Sequence, residues 1–128
     1  MSVYDNSEQL YSTIKTLEDR LLVENPQAGD SMINAKLSVR ILCTEPTAVL
    51  FIDGKKRPLT IAYGRTPSKP TLDIEASSDS LHHILLGDLA LMKAIGSKKL
   101  RVKGPIFKAK ALADLFYHMQ KLYPELAP

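Results

Sequence analysis

The sequence predicts an α+β domain in which helices cover one side of a sheet and the other side is wet. Three observations carry this reading. Leu10, Ile14, Leu17 and Leu21 recur at helical spacing near the N-terminus. Three short apolar segments follow, joined by links that permit only antiparallel neighbours. From Thr71 to Leu122 the chain then reads as a strand, two short apolar helices, another strand and a closing helix. At 128 residues it is long enough for one core and too short for two, so residues 1–128 form a single domain.

The first helix is expected over Ser7–Glu24, with Ser7 as N-cap and Pro26 and Gly29 stopping it. A short helical turn is expected from Asp30 to Ala35. Lys36–Cys43 then alternates around Leu37, Val39 and Ile41, Thr47–Ile52 is almost wholly apolar, and Leu59–Tyr63 places Leu59, Ile61 and Tyr63 on one face. Thr44-Glu45-Pro46 and the turn beginning Asp53-Gly54 are short, so the three strands form a meander. Lys55, Lys56 and Arg57 crowd a hairpin tip, where they either keep the strand edge soluble or meet an anion.

Gly64 to Pro70, with two prolines, is a connection that carries the chain away from its last partner. Strand four, Thr71–Ala76, sets Leu72, Ile74 and Ala76 opposite Thr71, Asp73 and Glu75, the alternation of a sheet covered on one side. Ser77 to Ser80 is rich in N-cap chemistry, and Leu81, Ile84 and Leu85 share the helical face that follows. Gly87 is placed to end this helix, and Asp88 to cap the next, Leu89–Ile95, which Gly96 ends. Helices of about two turns do not persist alone, so these exist because they pack. They carry more large aliphatic side chains than one sheet face needs, which hints at a cavity for an apolar ligand.

Lys99–Lys103 supplies the fifth strand. Gly104-Pro105 turns the chain into a final helix expected over Ile106–Tyr123 and ended by Pro124, with Leu112, Leu115, Met119 and Leu122 as its stripe and Phe116 widening it.

Catalytic chemistry finds little support. There is no glycine-rich phosphate loop, no nucleophile elbow and no cofactor motif. His82 and His83 are adjacent and so point ~100° apart on a helix, unsuited to chelating one ion; surface or boundary positions are expected for the histidines. Asp73 and Glu75 sit about 7 Å apart on one strand face, a spacing compatible with acid–base work, but exposed acids alternating with core explain them better. The single cysteine, Cys43, excludes an internal disulfide and a cysteine-rich metal site, and its apolar setting reads as structural.

The net charge is +3, unevenly spread. Residues 1–30 are acid-rich, whereas Lys98 to Lys110 holds six bases and no acid. That segment either attracts phosphates and anionic membrane surfaces or is a solvated face. Aromatic residues are few and no recognised motif interleaves the bases, so nucleic acid is not an expected partner. No run reaches the ~18 apolar residues of a membrane span and the N-terminus lacks signal-peptide blocks, which makes a cytoplasmic location the expectation.

The order and spacing of LDIEAS, SDSLHHILLGDL, GSKKLRVKG and the helix after it resemble the sterol carrier protein 2 family of nonspecific lipid-transfer domains. The most specific stretch is LLGDLALMKAIGSKKLRVKG, and the N-terminal helix and meander also fit. The resemblance implies a five-stranded, mainly antiparallel sheet with helices packed on one face. It further implies a hydrophobic tunnel between the two that holds fatty acid, acyl-CoA, phospholipid or sterol, without chemistry or cofactor. Carried onto this chain, the wall is Leu81, Leu85, Leu89, Met92 and Ile95 with Ile106, Phe107, Leu115, Phe116 and Met119. A stripe at helical spacing needs burial with or without a ligand, so each is equally a candidate for plain core.

Lys98, Lys99, Lys108 and Lys110 are the candidates for transient contact with an anionic membrane or a ligand head group. The chain ends Leu126-Ala127-Pro128 rather than in the Ser-Lys-Leu type of peroxisomal tripeptide common in eukaryotic members, so import by that signal is not expected. The competing expectation is an accessory subunit that holds a protein partner, such as a lipid- or isoprenoid-quinone-pathway enzyme, through Tyr4 and Tyr11. A small hydrolase of acyl thioesters is the third class.

Overall fold

A computed structural model describes residues 2–128. Helix α1 spans Ser7–Glu24 and buries Leu10, Ile14, Leu17 and Leu21, the stripe their spacing sets on one face. Its N-cap is Asn6 rather than Ser7: the Asn6 carboxamide accepts from the Gln9 N–H at 2.8 Å, while the Ser7 hydroxyl donates to the Thr47 carbonyl. The short helix α2, Asp30–Asn34, follows.

Strands β1 (Ser38–Thr44), β2 (Ala48–Asp53), β3 (Thr60–Tyr63), β4 (Leu72–Ser77) and β5 (Leu100–Lys103) form one sheet in the order β3-β2-β1-β4-β5. Neighbours are antiparallel except β1 and β4, which run parallel. The β3–β4 connection therefore passes both β2 and β1, the journey that its prolines and length foreshadow. Register sets Ile41 beside Leu50 on one side and Ile74 on the other. The inward set Val39, Ile41, Leu50, Ile52, Leu72 and Ile74 is buried, and Arg40, Asp73 and Glu75 point the opposite way.

A charged side chain of α1 finishes the sheet edge. Glu18 is 6% exposed; one carboxylate oxygen accepts the Ile61 N–H of edge strand β3 at 3.0 Å, and the other accepts the Tyr63 hydroxyl at 2.9 Å. An N–H that would lack a ladder partner is satisfied, and helix and sheet are tied together.

Ser77 caps α3 (Ser78–Leu86) by accepting from the Ser80 N–H at 3.0 Å, and Gly87 ends it in the left-handed region, φ 92°. Helix α4 runs Leu91–Gly96, a later start than the spacing indicated. Asp88 is not its cap: that carboxylate lies 3.1 Å from His83 Nδ1 across the α3 C-terminus. Gly104 adopts φ 118°, and a Cβ there would collide with the Thr71 carbonyl oxygen, so β5 leaves the sheet at a position only glycine fills easily.

The closing helix is not continuous. A 3-10 turn, Ile106–Lys108, leads into α5, Ala109–Met119, and a separate short helix α6 covers Tyr123–Leu126. Pro124 opens α6 instead of ending α5, because a missing N–H is harmless in the first turn of a helix. Helix α5 packs across α1, α2, α3 and α4, while α1, α3 and α4 meet the strands. The helices lie over one sheet face with a single core between.

Candidate functional site

The ten apolar positions singled out for a ligand fall into three groups. Leu81 and Leu85 on α3, with Leu115, Phe116 and Met119 on α5, are buried within the core. Leu89 and Ile95, flanking and within α4, are half-buried and packed against that core. Met92 and Ile106 are each 46% exposed and Phe107 is 77% exposed. The elements that carry the exposed three adjoin one another: α4 packs on β5 and α5, and the 3-10 turn joins those two. Apolar side chains thus run from solvent at the 3-10 turn to the interior beneath α3 and α5.

The basic segment brackets β5, with Lys98 and Lys99 before it and Lys108 and Lys110 at the 3-10 turn and the start of α5. Lys98, Lys99 and Lys110 are exposed and Lys108 is half-buried. None of the four forms an ion pair among the described residues, so their charge is directed at solvent. Lys98 has φ 64°, the left-handed turn that separates α4 from β5.

Groups with reactive potential are held in inert settings. Cys43 is fully buried, and that burial pushes its thiol up to about 12, leaving it protonated at neutral pH. Among the described residues no three of His, Cys, Asp and Glu gather as a metal site. Asp73 takes both donors of a fork from Arg40, and Glu75 lies 3.8 Å from Arg101, so both carboxylates serve cross-strand pairs.

Two expectations about polar residues are corrected. His82 is not at the surface: it is 7% exposed, with Nδ1 2.7 Å from the Tyr123 hydroxyl. Burial, then the neighbouring His83, lowers its pKa. Tyr4 is not an exposed handle either. It is 1% exposed and its hydroxyl bonds that of Tyr123, while Tyr11 is half-buried and accepts the Val49 N–H at 2.9 Å. A chain Tyr4–Tyr123–His82 thus joins the N-terminal arm, α6 and α3. The Val3 N–H, 2.8 Å from Asp79, fastens the same arm. Nothing in the spacing signals this cluster, because Tyr4, His82 and Tyr123 lie far apart in the sequence.

Solved structures share this architecture. Sterol carrier protein 2 from Yarrowia lipolytica superposes with a TM-score of 0.68 at 19% identity, covering 94% of this chain and 98% of that one. The sterol carrier protein domain 2 of Helicoverpa armigera gives 0.71 at 17% identity, over 94% and 95%. A UbiJ-SCP2 ubiquinone synthesis protein gives 0.64 at 17% identity, over 86% and 90%. At these identities the likeness is one of fold. A comparison with curated proteins finds none that matches. The sequence itself matches the family model described as SCP-2 sterol transfer family across residues 14–117, from within α1 to near the end of α5. By that match, the chain belongs to the SCP-2 sterol transfer family.

Proposed function

We propose that this chain binds a hydrophobic ligand between its sheet and helices and carries it without chemical change. The ligand classes are fatty acid, fatty acyl-CoA, phospholipid and sterol. The observation that supports this reading is the graded apolar series, from exposed Phe107, Ile106 and Met92 through Leu89 and Ile95 to buried Leu81, Leu85, Leu115, Phe116 and Met119. A lone exposed apolar side chain needs no explanation, but Phe107, Ile106 and Met92 lie on adjoining elements, and a grouped apolar surface favours an apolar contact.

The energetics favour a chain-like ligand. Each buried CH₂ contributes about 0.8 kcal/mol, so a sixteen-carbon tail offers on the order of 10 kcal/mol before ordering costs. Such a ligand enters by parting α3 and α5, since five of the ten side chains are already buried in the core. In this reading Lys98, Lys99, Lys108 and Lys110 hold an anionic head group or bring the exposed end transiently to an anionic membrane.

The accessory-subunit alternative loses the handle assigned to it, because Tyr4 and Tyr11 are engaged inside the fold. Lipid extraction of the purified chain with mass spectrometry, paired with titration of a fluorescent fatty acid, tests the proposal. One lipid per chain, displaced by the probe, is the expected outcome. Absence of both copurified lipid and saturable binding would reject it.

A further inference from the structure

The side of the sheet turned away from the helices carries a cavity of about 520 Å³. Its origin lies in the strand order. The chain leaves edge strand β3 and must pass β2 and β1 before joining β4, so Arg65 and Thr66 of that connection stand against outward-facing residues of the strands. Between this connection and edge strand β5 there is a hollow. Leu42 and Val49 give it an apolar surface, and charged side chains supply the rest. The volume falls in the usual range for a small-molecule site, roughly 300–1,000 Å³.

Its charge is unbalanced. Arg40, Arg65, Arg101 and Lys103 face the hollow against two carboxylates, Asp73 and Glu75. Asp73 lies opposite Lys103 in the β4–β5 register, yet both its oxygens are taken by Arg40, with Nε to Oδ1 at 3.1 Å. Glu75 is drawn to Arg101, its register partner, at 3.8 Å. Arg65 and Lys103 therefore have no carboxylate within ion-pair distance among the described residues. Two unpaired cations beside an apolar surface, with the Thr66 hydroxyl at hand, complement a dianion joined to an apolar body.

We propose that this hollow binds a phosphomonoester, its dianionic phosphate between Arg65 and Lys103 and its apolar portion against Leu42 and Val49. The site lies on the other side of the sheet from the lipid residues and does not depend on the lipid reading. Phosphomonoesters occur both as soluble metabolites and as the head group of phosphatidic acid, and the two sources share the chemistry recognised here.

Backbone-amide NMR of the full chain tests the proposal, with phenyl phosphate, inorganic phosphate and dihexanoyl phosphatidic acid as probes. Phenyl phosphate is expected to shift the amides of Leu42, Val49, Thr66 and Lys103 saturably, with a Kd of about 1 mM or below. Inorganic phosphate, lacking the apolar body, should bind several-fold more weakly. The double variant Arg65→Ser/Lys103→Ser should weaken phenyl phosphate about ten-fold, whereas Lys55→Ser/Lys56→Ser, which removes the same charge at the distant hairpin tip, should not. Tighter binding of dihexanoyl phosphatidic acid at the same amides assigns the site to a lipid head group, and tighter binding of phenyl phosphate to a soluble monoester. Shifts confined to Lys98, Lys99, Lys108 and Lys110, no saturation, or equal weakening by both double variants would overturn it.

Discussion

His82 Nδ1 lies 2.7 Å from the Tyr123 hydroxyl, whose other partner is the hydroxyl of Tyr4. Burial raises the pKa of both tyrosines, so each keeps its proton at neutral pH and can donate it. The run is consistent when Tyr4 donates to Tyr123 and Tyr123 donates to a bare Nδ1. A protonated imidazole has two donors and no acceptor, which reverses the last bond and places a charge in the interior.

That arrangement predicts acid sensitivity. His82 has a folded-state pKa below its unfolded value, through burial first and the nearby His83 second, partly offset by Asp79 and Asp88. The unfolded chain then binds more protons than the folded one in the window below about pH 6.5, and stability falls as pH falls through it. Above that value the contribution is fully present. Thermal unfolding followed between about pH 7.5 and 5.5 should show a falling Tm, and His82→Gln should flatten the slope. A wild-type Tm independent of pH in that range would contradict the assignment.

Glu18 provides the second prediction, because it is buried and serves two donors on edge strand β3. Glu18→Ala leaves the Ile61 N–H and the Tyr63 hydroxyl without an acceptor, at a cost of about 2–3 kcal/mol. Glu18→Gln keeps one carbonyl oxygen and should lose less. Urea unfolding of the two variants checks this, and equal stability of Glu18→Ala and wild type would show that water replaces the carboxylate.

The contrast between Leu17 and Glu18 shows what the sequence discloses and what it withholds. Leu17 lies on a stripe that helical periodicity identifies, and it is fully buried as that pattern requires. Glu18 is beside it, looks like any solvated helix charge, and is buried because β3 ends the sheet there. Strand order decides that, and strand order is a long-range property. Alternation in Leu72–Ala76 likewise gives the buried face of β4 correctly, yet nothing local says that β4 pairs parallel to β1. Pro124 opens α6 where the sequence suggests a helix end, because a proline that ends one helix and one that opens the next look alike. Of the ligand candidates, spacing assigns burial well on α5, where Leu115, Phe116 and Met119 are buried. Exposure at Ile106 and Phe107 also follows the spacing, because at about 100° per residue both fall off the stripe of Leu112, Leu115, Phe116 and Met119, and they lie on the 3-10 turn before α5.

Phe107 separates function from stability. At 77% exposure it contributes little to the core, so Phe107→Ser should change unfolding free energy by no more than about 0.5 kcal/mol. If the exposed end of the apolar series admits ligand, the same variant should slow transfer of a fluorescent fatty acid from vesicles several-fold. Stopped-flow transfer and thermal unfolding together decide the matter. Unchanged transfer at unchanged stability would remove Phe107 from the proposed entrance.

Lys108 and Lys110 test whether the entrance works at a membrane. They flank the start of α5 beside Ile106 and Phe107, and neither is neutralised by an ion pair among the described residues. Near an anionic surface each such charge is worth about 1 kcal/mol, and the attraction decays within a Debye length of about 10 Å at 0.1 M salt. Lys108→Glu/Lys110→Glu should therefore weaken cosedimentation with phosphatidylserine vesicles at least ten-fold at low salt, with the difference shrinking as salt rises. Neutral phosphatidylcholine vesicles should not distinguish the variant from wild type. A loss of the same size on both vesicle types would point to damage at the start of α5, and no loss on either would return these lysines to the solvated surface.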